Sequence, residues 1–298
     1  IAIGGNSVRE HFHGAENFRP MVTSEQGPET CNTYNMMRLA KELYLADEST
    51  AYLDYYERAQ INHILSSQHP DGGFVYFTPA RPRHYRVYSQ PHDAMWCCVG
   101  SGIENHTKYG ELIYSHKGDD LFVNLFIPST LNWEEKGLQL TQETIFPNEE
   151  SSAFELTLES ARAFKMAIRV PEWIDGEMEV QVNGTSESVI ENGYLVVDRV
   201  WKDGDVIDVS LPMKLSYELL PDGSNWAAFT SGPVVLAAVT DTTDLDGLWA
   251  DDSRMGHVAN GPFYPIDEAP VIVSAEAQLL ERVNRISPIN YQINNLYG

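Results

Sequence analysis

The sequence predicts an α+β protein of more than one domain, in which helices come first and a β-sandwich follows. The chain has 298 residues, a length that suggests about two domains. The spacing of its apolar residues changes near residue 118, from a helical period to alternation at every second residue. We therefore expect a helical region over residues 1–118, a β-sandwich over 119–217, and further strands with an extended tail over 218–298 that packs back on the first two regions.

About three helices are expected in the first region, after an irregular stretch of 28 residues that is rich in turn signals. Pro28 stands where the first residue of a helix belongs. The apolar stripe of this first helix is formed by Thr33, Met37, Ala40 and Tyr44.

The second and third helices are predicted from their ends. The second runs over residues 47–69 and stops at the following Pro-Asp-Gly-Gly. The third begins at Ser101, because Glu104 three residues later completes a capping box, and it ends at Gly118.

The region after residue 120 contains about eight short runs of alternating apolar and polar residues, separated by turns, as is typical of a β-sandwich. An Asn192-Gly193 pair between two of these runs predicts a tight hairpin.

The amino-acid composition argues against nucleic-acid binding and against a membrane-spanning segment. Asp and Glu number 43 against 20 Lys and Arg, giving a net charge of −23, whereas nucleic-acid binding needs a basic face. No apolar run is long enough to span a membrane. The first residues lack the basic start and apolar run of a signal peptide, and the chain opens as if inside a domain. A neutral substrate such as a sugar is compatible with this acidic surface.

The three cysteines are an odd number and so form no closed disulfide framework. Cys97 and Cys98 are neighbours, and Cys31 lies two residues after Glu29. On residue types alone, these cysteines fit either small apolar core positions or a zinc site, since zinc takes thiolate and carboxylate ligands. A zinc site requires Glu29 and Cys31 on an extended entry to the helix, and a kinked strand at Cys97 and Cys98 near Gly100.

Two carboxylates and one aromatic run are further candidates. Glu10 lies in a glycine-rich loop, and Glu16 follows close by. The run FVYFTP, at residues 74–79, is compatible with a sugar-stacking wall or with a buried strand.

Several motifs follow one another in an order that resembles a known family. They are GGNSVREHF, ETCNTYNMMRLAKELY, YYERAQINHILSSQ, GGFVYFTPARP and MWCCVGSGIENHTKYGELIY, followed later by WKDGDVIDVSLPM. Over residues 1–220 the sequence is similar to glycoside hydrolase family 127, the β-L-arabinofuranosidases, once described as a domain of unknown function.

The resemblance implies an (α/α)6 barrel followed by β-sandwich domains. It also implies a zinc ion held by Glu29, Cys31, Cys97 and Cys98. Cys97 would be the nucleophile and Glu10 the general acid/base, with Glu16 as the competing candidate for that second role.

The resemblance further places Tyr76 in the substrate site. Since such a barrel has six helix pairs and the sequence predicts about three helices, we expect only the C-terminal part of a barrel here. Apolar stripes that the other helices would cover should then be exposed, offering a surface for association.

The implied function is a retaining glycoside hydrolase with a zinc-thiolate nucleophile, acting on an oligosaccharide or polysaccharide that contains L-arabinofuranosides or related plant sugars. The alternatives are a non-catalytic carbohydrate-binding protein and a truncated fragment with a structural zinc site. Polysaccharide breakdown favours a secreted or periplasmic location over a cytoplasmic one, although free thiols favour a reducing compartment.

Overall fold

The computed structural model describes residues 1–14, 16–239, 245, 248, 250–253 and 255–297. Helices lie in the first part of the chain and strands dominate the rest, as the sequence predicts. The α-helices are α1 (Arg19–Thr23), α2 (Thr30–Asp47), α3 (Thr50–Ala59) and α4 (Cys97–Asn105). A π-helical turn (Gln60–Ile64) and a 3-10 turn (Leu65–Ser67) continue α3.

Helix α2 packs through the stripe that its sequence predicts. Thr33, Met37, Ala40 and Tyr44 are all buried. The helix ends at Glu48, which adopts a left-handed conformation with φ of 62°. Leu53 of α3 is fully buried in the same apolar cluster, so the two helices form one packed pair.

Two helix predictions are wrong. Residues 19–23, expected to be irregular, form α1, whose Pro20 suits the first turn of a helix. The third helix begins at Cys97 rather than at Ser101, and it ends at Asn105 rather than at Gly118. Ser101 does not cap the helix, because its hydroxyl contacts the Cys31 thiol, 3.0 Å away.

The strands account for most of the remaining regular structure. They are β1 (Ser7–Val8), β2 (His11–Phe12), β3 (Tyr114–Lys117), β4 (Asp120–Val123), β5 (Ser129–Trp133), β6 (Leu138–Glu143), β7 (Ser151–Leu158), β8 (Arg162–Arg169), β9 (Val180–Val182), β10 (Thr185–Ser186), β11 (Val189–Glu191), β12 (Tyr194–Trp201), β13 (Val206–Ser210), β14 (Leu215–Leu219), β15 (Ala227–Ser231), β16 (Val234–Val235), β17 (Val271–Ile272), β18 (Val283–Ser287), β19 (Asn290–Ile293) and β20 (Leu296–Tyr297).

Two larger sheets share one apolar core. One has the strand order β10-β9-β13-β7-β6-β5 and the other has the order β11-β12-β8-β4-β3. Neighbouring strands are antiparallel except for β4 and β8, which run parallel. The predicted hairpin turn is confirmed, since Asn192 and Gly193 join β11 to β12 with φ of 49° and 81°. Side chains of both sheets, including Leu156 and Trp201, fill the core between them.

The helical region contacts the second sheet through a buried polar cluster. Arg169, at the end of β8, is fully buried and forms ion pairs with Asp54 and Glu57 of α3, at 2.8 and 2.7 Å. Trp173 donates a hydrogen bond to Glu57 at 2.7 Å. These contacts fix α3 against the sheet.

The last third of the chain adds smaller sheets. Strands β14, β15 and β16 form a three-stranded sheet, while β17 pairs with β20 and β18 with β19. Between them, residues 250–253 and 255–264 lie against residues 81–96 of the helical region. Among the described residues, no helix is both long enough and apolar enough to cross a membrane.

Candidate active site and metal centre

A two-residue turn presents Glu10 to the site. Strands β1 and β2 pair as a hairpin, and Arg9 and Glu10 form its turn with φ of 54° and 66°. Positive φ at both positions is the type I′ pattern, which Asn and Gly adopt most easily. Two side chains with Cβ atoms are therefore held in a strained conformation, of the kind that clusters at functional sites. The Glu10 side chain is exposed, and its carboxylate accepts a hydrogen bond from the Tyr76 hydroxyl.

Tyr76 stands between Glu10 and the cysteines. Its hydroxyl lies 3.4 Å from the Cys97 Sγ, so one phenol bridges a thiol and a carboxylate. The backbone carbonyl of Tyr76 accepts a hydrogen bond from Thr30, which anchors this segment to the first turn of α2. Burial, together with hydrogen bonds to Cys97 and Glu10, raises the pKa of Tyr76, so its hydroxyl keeps its proton at neutral pH.

Four metal-ligating side chains converge beside this bridge. Glu29, Cys31, Cys97 and Cys98 each place one ligand atom within 4.8 Å of the other three. The Cys98 Sγ lies 2.7 Å from the Cys31 Sγ and 3.3 Å from the Glu29 Oε1. Cys97 is exposed, whereas Cys98 is fully buried, so the cluster has one open side.

Two helix N-termini bring this cluster together. Glu29 is the N-cap of α2 with an extended backbone, and Cys31 follows in the first turn, as the sequence predicts for an irregular helix entry. Cys97 and Cys98 are the first residues of α4, so the prediction of a kinked strand there is wrong. At the start of a helix, the backbone turns enough for the Cys97 and Cys98 thiols to reach one point. Both helix dipoles also favour negative charge here.

Without a cation, the protonated form is favoured for three of the four ligand groups, Cys97, Cys98 and Glu29. Burial raises the pKa of Cys98 and of Cys97, and it also raises the pKa of Glu29. The pKa of Cys31 is lowered, chiefly by its hydrogen bond with Cys98. Ionising the whole set therefore requires a positive charge among the ligand atoms. Three thiolates with one carboxylate form a donor set that fits zinc.

The structure brings together most of the candidates named from the sequence. Glu10, Tyr76 and the four cluster residues meet in one place. Glu16 is exposed and forms no hydrogen bond or ion pair with these residues within the described part of the chain. In the run FVYFTP, Tyr76 and Phe77 are buried outside any regular strand, and isolated bridges join this run to neighbouring segments.

His257 is a residue beside the site that its sequence does not mark. The His257 ring lies 4.4 Å from the Tyr76 ring, between centroids, and 5.2 Å from the Trp96 ring. His257 belongs to a stretch with no periodic pattern, far along the chain from Cys97. No local signal in the sequence marks it, because its position depends on how the last third of the chain packs.

Comparison with protein-family models gives three matches. The model described as β-L-arabinofuranosidase, GH127 catalytic domain, matches residues 1–111. The GH127 middle domain matches residues 120–213. A domain of unknown function, DUF4986, matches residues 216–296. A search of curated proteins found no significant match.

Solved structures give a consistent result for the fold. The chain is similar to Ara127N-Se, a GH127 β-L-arabinofuranosidase from Geobacillus stearothermophilus T6, with 23% identity and a TM-score of 0.65 over 79% of this chain and 40% of that one. It is similar to a structure titled glycoside hydrolase, with 25% identity and a TM-score of 0.61 over 73% and 39% of the two chains. A GH127 β-arabinofuranosidase gives 24% identity and a TM-score of 0.63 over 79% and 40%.

The chain thus spans about 40% of the length of these relatives. Two family models match adjacent segments in the order catalytic domain, middle domain, and together they account for most of the first 213 residues. The chain belongs to glycoside hydrolase family 127.

Proposed function

We propose that this chain is part of a zinc-dependent, retaining glycoside hydrolase that releases L-arabinofuranose from plant glycans. The observation that carries the proposal is the line from the Cys97 thiol through the Tyr76 hydroxyl to the Glu10 carboxylate. Membership of the family supports the reaction class, and two similar solved structures are named as arabinofuranosidases.

The spacing of Cys97 and Glu10 favours retention of configuration. One hydroxyl bridges the two groups, so they lie no more than two hydrogen-bond lengths apart, about 6 Å at most. Retaining glycosidases hold their two reacting groups about 5–5.5 Å apart, whereas inverting enzymes leave a wider gap for water. A thiolate here replaces the carboxylate that usually serves as the nucleophile.

Glu29, Cys31, Cys97 and Cys98 would hold the zinc ion. When bound, zinc would supply the positive charge that keeps these buried thiols ionised at neutral pH. The backbone N–H of Cys31 points at the Cys98 Sγ from 3.3 Å, and the Ser101 hydroxyl lies 3.0 Å from the Cys31 Sγ. Such hydrogen bonds orient thiolate ligands and moderate their charge.

In the first step, the Cys97 sulfur attacks the anomeric carbon and a C–S bond forms as the glycosidic C–O bond breaks. Glu10, in its protonated form, gives its proton to the departing oxygen. In the second step, Glu10 removes a proton from water, which attacks the same carbon and releases both the sugar and the Cys97 thiolate. Tyr76 donates its hydroxyl hydrogen to Glu10 and so orients the carboxylate between the steps.

The helical region would form the C-terminal part of an (α/α)6 barrel. Several large apolar side chains are exposed on α2 and α4 or beside them, in keeping with this: Leu39, Leu43, Leu45, Met95 and Ile103. Surfaces of this kind mark sites of contact with another part of a protein or with a partner. Other barrel helices would cover them in a complete enzyme.

The variant Cys97→Ser tests the proposed reaction. We expect it to abolish turnover of an aryl L-arabinofuranoside, because a serine hydroxyl is a far weaker nucleophile and zinc ligand than a thiolate. Binding of arabinose oligosaccharides, measured by calorimetry, should persist. Cys31→Ser is the matched control for loss of a ligand without loss of the nucleophile.

Three outcomes separate the functions. No turnover by the complete enzyme that contains this chain, with sugar binding retained, would identify a carbohydrate-binding protein. Neither turnover nor sugar binding by that complete protein would identify the cluster as a structural site. Turnover that survives in Cys97→Ser would exclude Cys97 as the nucleophile.

A further inference from the structure

A segment from the last third of the chain lies against the loop that leads into Cys97. We call residues 250–253 and 255–264 the covering segment. Backbone hydrogen bonds join it to this loop, since Ala250 donates to Tyr88 at 2.9 Å. The Asp252 carboxylate accepts a hydrogen bond from the Ala94 backbone at 2.7 Å, and Ala94 has a positive φ of 64°. The covering segment therefore fixes the backbone three residues before Cys97.

Apolar contacts extend this attachment into the site. Val258 is 6% exposed and packs in one cluster with Tyr76, Phe77 and Cys98. Ala259, 4% exposed, packs in a neighbouring cluster with Val87 and Ala94. Buried apolar contacts of this kind indicate a permanent part of the site wall rather than a loosely attached strand.

His257 lies at the centre of these contacts. Its ring is 4.4 Å from the Tyr76 ring at an interplanar angle of 34°. It also contacts Phe77 at 5.6 Å and Trp96 at 5.2 Å. The His257 Nδ1 is buried and accepts or donates no hydrogen bond within the described part of the chain, so ring contacts hold this side chain in place.

This packing restricts the orientation of the Tyr76 ring. Its hydroxyl must reach both Cys97 and Glu10, and a phenol can do so only when its ring is fixed in one orientation. Phe77 contacts the same ring at 4.7 Å. Removing either aromatic neighbour would leave the Tyr76 ring freer to rotate away from the bridge.

We infer that His257 is a positioning residue for the hydrolase, and that the domain of unknown function contributes it in order to complete the active-site wall. This inference rests on the proposed function for its kinetic consequence. The ring of His257 holds Tyr76 so that its hydroxyl bridges the nucleophile and the acid/base. The last third of the chain is thus part of the catalytic unit.

The test uses two variants of His257 and one matched control, each made in the complete enzyme that contains this chain. His257→Ala removes the ring, whereas His257→Phe keeps a ring and removes both nitrogens. His116→Ala is the control, because His116 also contacts an aromatic ring, that of Trp133 at 4.8 Å, away from the site. We expect His257→Ala to lower kcat about 10- to 100-fold with little change in KM, since small misplacements of reacting groups cost this much.

Two results distinguish a positioning role of His257 from a general structural role: rescue of activity by a phenylalanine ring, and coupling between the effects of the His257 and Tyr76 substitutions. His257→Phe should keep most of the activity, and the thermal midpoint of each variant should stay within about 2 °C of the parent. In a Tyr76→Phe background, His257→Ala should have almost no further effect, because the hydroxyl that it positions is already gone. An equal loss in both backgrounds, or a loss matched by a lower thermal midpoint, would overturn the inference.

A second measurement needs no substrate. Alkylation of Cys97 by iodoacetamide, located by peptide mapping, should become about threefold faster or more in His257→Ala, because thiol reactivity depends on access and the Tyr76 hydroxyl contacts this thiol. His116→Ala should react as the parent does. An unchanged rate in His257→Ala would contradict the positioning role. If the parent hydrolyses no arabinofuranoside but the rate rises as expected, the proposed function fails and the positioning role stands.

Discussion

At the scale of single residues, the arrangement of Glu10 is the most informative feature. A strained turn and one tyrosine hydroxyl fix its carboxylate opposite an exposed thiol. Glutamate at a type I′ position is unfavourable for folding, which suggests that the position is retained for its chemistry. The resemblance to family 127 was needed to single out Glu10, Tyr76 and the four cluster residues together from the sequence. Their mutual distances follow only from the fold.

We predict that Glu10→Gln lowers turnover of an arabinofuranoside by about 10²- to 10⁴-fold, the usual contribution of a general acid/base. The loss should be smaller for substrates with good leaving groups, because these need less protonation. Glu16→Gln is the matched control and should retain nearly full activity, since exposed Glu16 forms no hydrogen bond or ion pair with the site within the described residues. Steady-state kinetics of both variants measures the two losses of turnover. A larger loss in Glu16→Gln than in Glu10→Gln would assign the acid/base role to Glu16.

At the scale of elements, two helix N-termini create the cluster. The first was predictable because Pro28 and an apolar stripe mark the start of α2. The start of α4 was not, because a capping-box pattern at Ser101 and Glu104 competed with the true start. Glu104 instead accepts a hydrogen bond from Tyr34 of α2 at 2.8 Å, so a contact between helices replaces the local cap. Local patterns cannot reveal such long-range partners.

The π-helical turn after α3 makes stability depend on pH. His63 lies on it, fully buried, with its Nδ1 2.8 Å from the Thr33 hydroxyl. Burial lowers the pKa of His63 to about 3. An unfolded histidine has a pKa of about 6.5, so the unfolded state binds the proton first. The stability that neutral His63 contributes is therefore complete above about pH 6.5 and is lost progressively as the pH falls towards 3.

We predict that His63→Gln is less stable than the parent at pH 7 and that this difference narrows at pH 5. Urea unfolding of both proteins at pH 7 and pH 5 measures this difference in the free energy of unfolding. His116→Gln, at an exposed position, is the control. Its free energy of unfolding should differ from that of the parent by the same amount at pH 7 and pH 5. A difference between parent and His63→Gln that is the same at both pH values would show that His63 titrates normally in the folded protein.

At the scale of the whole molecule, three regions support one site. The helical region supplies the groups proposed to react, Cys97 and Glu10. The paired sheets hold α3 through Arg169, and the covering segment lies against the loop before Cys97. The change from helices to strands was predictable, because it follows from the period of the apolar residues. The contact of His257 was not, because its own stretch carries no periodic pattern and lies far along the chain from Cys97.

We predict that Arg169→Met destabilises the chain by about 3–5 kcal/mol, because it leaves the carboxylates of Asp54 and Glu57 buried without their cation. Arg199→Met is the control: Arg199 pairs with the exposed Glu187 at 3.0 Å, and its loss should cost about 1 kcal/mol or less. Denaturant unfolding compares the two. Equal effects would mean that the contact between α3 and the sheet contributes little to stability.

We propose that Glu29, Cys31, Cys97 and Cys98 together hold a zinc ion, and that Cys97 also serves as the nucleophile. Zinc content per chain, combined with titration of the three thiols before and after chelation, tests this site most directly. We predict about one zinc per chain, with thiols that react fully only after a chelator removes the metal, because metal binding protects thiolates. A chain without zinc whose three thiols all react freely from the start would contradict it.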